Sequence, residues 1–129
     1  MKTIIFLIPL ALMFGCGGPN RKSEALIQAN QVHMESVTVA SKLEKLLDSL
    51  RKENTETAQI ARLDSIARQI ELWEESVIEV PGFEHAHQHG EGHHHKPAPQ
   101  MTDESMLDYQ LNAKKAIESI RDQAARQVL

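Results

Sequence analysis

Only one cysteine occurs in the 129 residues, so no disulfide can close within the chain. Aromatic side chains are nearly as scarce, with one tryptophan, one tyrosine and three phenylalanines. Basic residues form no stripe, and 14 Lys and Arg stand against 18 Asp and Glu, which leaves nothing to neutralise phosphates or stack bases and excludes nucleic acid as the expected partner. No glycine-rich phosphate loop is present, and no nucleophile has a base placed beside it, so an enzyme is not expected. No strand-like alternation of useful length appears and no internal repeat is evident. Glycine and proline are missing from residues 23–80 and again from residues 102–129, so the strongest helix breakers fall between those spans and before them.

The chain opens with MKTIIFLIPLALMFG, in which Lys2 precedes an apolar run from Ile4 to Phe14. That order reads as a secretory signal over residues 1–15, too short to span a bilayer as a helix. Cys16 follows Gly15 and leads into Gly17, Gly18, Pro19 and Asn20. The junction resembles a bacterial lipoprotein box, which implies that Cys16 is lipidated and that residues 16–22 form a flexible tether. The expected location is the cell envelope, lipid-anchored on the periplasmic side of the inner or outer membrane or at the cell surface, with the membrane as the first partner.

Beyond the tether, apolar or small residues recur at Leu26, Ala29, His33, Val37, Ala40, Leu43, Leu47 and Leu50, a spacing of three and four that makes one helical stripe. Ser23 is the expected N-cap, with Glu24 beside the positive end of the helix dipole. Residues 52–57, KENTET, suit a turn. A second stripe runs through Leu63, Ile66, Ile70, Trp73, Val77 and Val80, and Pro81 with Gly82 marks its end. A third begins after Thr102 with Asp103 and Glu104 in its first turn and carries Met106, Tyr109, Ala113, Ile117, Ile120, Ala124 and Val128. The predicted fold is therefore all-α: an up-down-up three-helix bundle, or a helical hairpin over residues 23–80 plus a third helix over residues 102–129.

Between the second and third stripes, residues 81–101 hold three prolines, three glycines and six histidines. Such a composition builds no core, and a loop disordered in the absence of ligand is expected. His85, His87 and His89 alternate, so an extended backbone puts them on one face; His93, His94 and His95 are contiguous, and Gly90 and Gly92 allow the second triplet to fold back on the first. Neutral imidazoles are good ligands for zinc, copper and nickel ions. Glu84 and Glu91 are candidates to complete the coordination sphere or to orient an imidazole from behind. Ordering roughly eleven residues at about 1 to 2 kcal/mol each, with no thiolate to offset it, favours exchangeable binding over a permanent structural ion.

His33 stands apart, inside the apolar stripe of the first helix. Folding the hairpin about Asn54 sets it level with Glu75 and near Trp73, so a buried histidine bonded to a carboxylate or stacked on the indole is the expectation, with a further metal ligand as the alternative. Met34, Met101 and Met106 suit soft Cu(I), though methionines at such spacing more often fill gaps in packing.

The block WEESVIEVPGFEHAHQHGEGHHH, Trp73 to His95, together with the lipoprotein-type start and the closing helix, resembles a group of uncharacterised histidine-rich helical lipoproteins of Bacteroidetes. The resemblance implies an envelope location and a helical architecture, and no known activity. The function expected from the residues is exchangeable binding of divalent transition metal near a membrane, as a buffer or a carrier that serves a metal transporter or another envelope protein. The alternative is a helical scaffold that pairs with another envelope protein, in which the histidine tract is a polar spacer or a pH-responsive element.

Overall fold

The computed structural model describes residues 22–83 and 98–127. Three helices account for most of them: α1 (Glu24–Glu53), α2 (Thr57–Ser76) and α3 (Asp103–Gln127). Beyond a single bridge residue at Ile78, no strand forms among the described residues. The all-α expectation is met, in the form of the up-down-up bundle.

Local chemistry sets the helix starts. The Ser23 hydroxyl accepts from the Leu26 amide at 3.1 Å, capping α1. Its proton goes to Asp103 Oδ2 at 2.6 Å, so the cap of α1 is also tied to the first turn of α3. The Thr102 hydroxyl accepts from the Ser105 amide at 3.1 Å and plays the same role for α3. At the far end, the Asn54 backbone amide and side-chain amide both donate to the Leu50 carbonyl and close α1. α2 then starts from Glu56, which makes no side-chain cap bond.

The second helix is shorter than its stripe suggests. It stops at Ser76, and Val77 is already extended, with φ −69° and ψ 135°. The Trp73 carbonyl closes the helix, accepting from the Val77 amide at 3.0 Å and from Ser76 Oγ at 2.7 Å. The residues beyond are Val77, Ile78, Glu79 and Val80, mostly β-branched, and the one before Pro81 is sterically biased away from helix. Val77, Ile78 and Val80 are nevertheless buried, because an extended strip lying on the bundle reaches the core as well as a last helical turn would. The strip ends in a tight turn: the Phe83 amide donates to the Val80 carbonyl at 3.1 Å, across Pro81 and Gly82, whose φ is +76°. Proline followed by a positive-φ glycine is the pattern of a type II turn.

The main core runs between all three helices and contains Val37, Ala40, Leu43 and Leu47 of α1, Leu63, Ile66, Ile70 and Trp73 of α2 with Val77 just beyond it, and Ile117 and Ala124 of α3. α1 packs more extensively against α3 than either packs against α2. Small side chains explain this: Ala29, Ser36 and Ala40 on α1 and Ala124 on α3 are fully buried and let the two backbones approach, whereas α2 offers leucine, isoleucine and tryptophan. α1 and α3 run parallel, since Ser23 meets Asp103, His33 meets Gln110 and Glu35 meets Lys114. α2 is antiparallel to both; its Trp73 indole donates to the Ala113 carbonyl at 2.8 Å, and Tyr109 donates to the Ser76 carbonyl at 2.7 Å.

Candidate functional site

Chain direction brings three segments to one end of the bundle, called its base here: the start of α1, the strip Val77–Phe83 and the approach to α3. A second apolar cluster seals them together, built from Ala29, Ile78, Val80 and Met106, with Leu26, Phe83, Ala98, Met101, Leu107 and Tyr109 against it. Phe83 and Ala98 are the described residues on either side of the histidine tract, and both belong to this cluster. Lys22 completes the arrangement: its ammonium stands 3.5 Å from the centroid of the Phe83 ring and also donates to the Gly82 carbonyl. A cation over an aromatic face contributes about 0.5 to 1 kcal/mol at an exposed site. Ser23, one residue on, is the cap bonded to Asp103.

His85, His87, His89, His93, His94 and His95 lie outside the described residues, as do Glu84, Glu91 and Cys16. Of the candidate ligands only His33 is described. It is fully buried, and its Nδ1 lies 3.3 Å from Oε1 of Gln110 on α3. The Gln110 amide is oriented by its other end, where Nε2 donates to the Ile78 carbonyl at 2.8 Å. A carbonyl only accepts, so the amide oxygen must face His33, and Nδ1 must carry the proton. The contact therefore runs to an amide on α3 rather than to a carboxylate at Glu75, which is exposed. The reason is the close packing of α1 on α3: the partner sits on the nearer helix.

Gln110 is the residue that stripe reasoning missed. Spacing of three and four fits Met106, Gln110, Ala113 and Ile117 as well as it fits Met106, Tyr109, Ala113 and Ile117, and polarity alone favours the aromatic residue. Gln110 is fully buried, and Tyr109 is half-buried with its hydroxyl donating to the Ser76 carbonyl. Burial pushes the Tyr109 phenol above its ordinary value.

Among the described residues, no group of three or more His, Cys, Asp and Glu side chains could hold a metal ion. Met101 and Met106 pack in the base cluster, which satisfies the gap-filling account of their spacing. No helix of the described residues is long and apolar enough to cross a membrane. On the outer face of α1 and α3, Lys114 Nζ bonds Glu35 Oε2 at 2.5 Å. The pair holds the Glu35 carboxyl below its ordinary range and the Lys114 ammonium above its own, mainly through this hydrogen bond. No protein-family model, curated protein or solved structure matches this chain.

Proposed function

We propose that the protein is an envelope lipoprotein that binds divalent zinc, copper or nickel exchangeably through its histidine tract, as a buffer or carrier beside the membrane. One observation carries the proposal: six imidazoles, His85, His87, His89, His93, His94 and His95, stand within eleven consecutive positions of a chain that has only one other histidine. Nitrogen donors at that density meet the ligand preference of all three ions.

The fold adds support of a mechanical kind. A bundle that seats Phe83 and Ala98 in one apolar cluster fixes both ends of the intervening segment, which lowers the entropy lost when its donors converge on an ion. Lys22 contacts Gly82 and Phe83, so a tether from Cys16 would enter the bundle beside the tract. Ion capture would then occur at the anchored end. His33, closed to solvent and hydrogen-bonded to Gln110, has a packing role in this scheme, and the ligands are the six tract histidines with Glu84 or Glu91.

Calorimetric titration with Zn(II), Cu(II) and Ni(II) tests the proposal. The unaltered protein should bind, and a variant with all six tract histidines changed to serine should lose most of the affinity; equal binding by the two would end the metal reading. Affinity should also fall as the pH drops through about 6.5, where imidazoles protonate. The scaffold alternative draws on a different observation, the large apolar side chains left exposed on α1 and α3, Ile27, Met34, Leu46 and Leu111.

A further inference from the structure

Between α1 and α3, on the side away from α2, the surface is open. Two shallow depressions follow each other along it. The first, about 460 Å³, is lined by Gln31, Met34, Glu35, Thr38, Val39, Lys114 and Glu118. The second, about 320 Å³, is lined by Val39, Lys42, Leu43, Leu46 and Arg121. Val39 belongs to both, so they form one groove. Its apolar floor is flanked by Met34 and Leu46, 36% and 38% exposed. Leaving large side chains of this kind in water is unfavourable, by about 25 cal/mol for each Å² that a partner would cover.

The charges along the groove say what would cover it. Glu35 is engaged by Lys114, and Arg121 is hydrogen-bonded to its neighbour Asp122. Glu118 and Lys42 make no contact ion pair among the described residues. Because α1 and α3 are parallel and Glu35 is level with Lys114, Glu118 lies level with Val39, and Lys42 lies level with Arg121. Those two levels are about one helical turn apart, roughly 4.5 Å at 1.5 Å per residue. A two-fold axis crossing the groove midway between them sets Glu118 of one copy against Lys42 and Arg121 of the other, twice. The same axis brings Met34 of one copy opposite Leu46 of its mate. The groove is thus complementary to itself turned end for end, in both its charges and its apolar side chains.

We propose that this groove is the interface of a two-fold homodimer, in which two α1–α3 pairs pack antiparallel. The pairing is isologous, so each contact is made twice and the assembly closes at two. With few apolar side chains and partly exposed charges, association should be moderate, with Kd on the order of 10 µM. The proposal is independent of the metal reading, since no tract residue takes part.

Sedimentation of the purified full-length protein in density-matched detergent is the test. The unaltered chain should be a dimer at about 100 µM, and association should weaken roughly tenfold between about 0.05 and 1 M salt. Glu118→Lys alone and Lys42→Glu with Arg121→Glu should each weaken self-association at least about tenfold, because each sets like charges face to face. Mixing the two variants in equal amounts should restore dimers, since the reversed charges then match across both halves of the interface. Restored pairing also shows that the variants are folded. A monomeric unaltered protein at about 100 µM, association indifferent to salt, or a mixture no tighter than its components would overturn the proposal.

Discussion

Replacing Gln110 by leucine keeps the volume and removes the acceptor met by His33 Nδ1 and the donor met by the Ile78 carbonyl, along with a weak bond to Met106 Sδ. Both partners are buried, so the loss should be about 2 to 4 kcal/mol, read as a lower midpoint in urea. Ser36→Ala at an equally buried position should cost far less, because that hydroxyl bonds only the Val32 carbonyl of its own helix. Gly82→Ala should lose about 1 to 2 kcal/mol, as alanine is strained at a φ of +76°. Tyr109 supplies a pH dependence of known sign. Its phenol is raised above 10.0, so its contribution to stability is whole below pH 10 and declines as the pH climbs toward the raised value. Tyr109→Phe should flatten the alkaline limb of the stability curve, followed by circular dichroism. Side chains at this scale were legible where pattern decides, as at Ser23, Ile66 and Ile117, and illegible where a pairing across helices decides, as at His33 with Gln110.

Among the helices, the ends carry the information. Ser23 serves two masters, capping α1 and bonding Asp103 of α3. Ser23→Ala should therefore exceed an ordinary cap loss of about 1 kcal/mol and approach 2, whereas Asp103→Asn, which still offers an oxygen, should lose less. The start of α3 at Thr102 and Asp103 could be read directly from residue types. The end of α2 could not: the stripe continues through Val77 and Val80 with helical spacing, and burial alone does not distinguish a last turn from an extended strip lying in the same groove. Three β-branched residues ahead of a proline were the available sign, and they outweighed periodicity.

At the scale of the molecule, the order of three helices followed from their stripes, but which pair would pack most closely did not, because that depends on where the smallest side chains face each other. Small residues on α1 and α3 decided it. The histidine tract was legible as composition and lies outside the described residues. If it binds metal as proposed, saturating zinc at 100 times its Kd should stabilise the intact protein by at most about 2.7 kcal/mol, less by whatever affinity the tract keeps in the unfolded chain, and a chelator should reverse the gain. The parallel course of α1 and α3 has one more consequence. Lys22 and Gln127 sit at opposite poles, divided by the roughly 37 Å length of a 25-residue helix. A fluorophore joined after the last helix would stand clear of the base, and its distance to a dye near Lys22 would act as a built-in ruler for the intact stack.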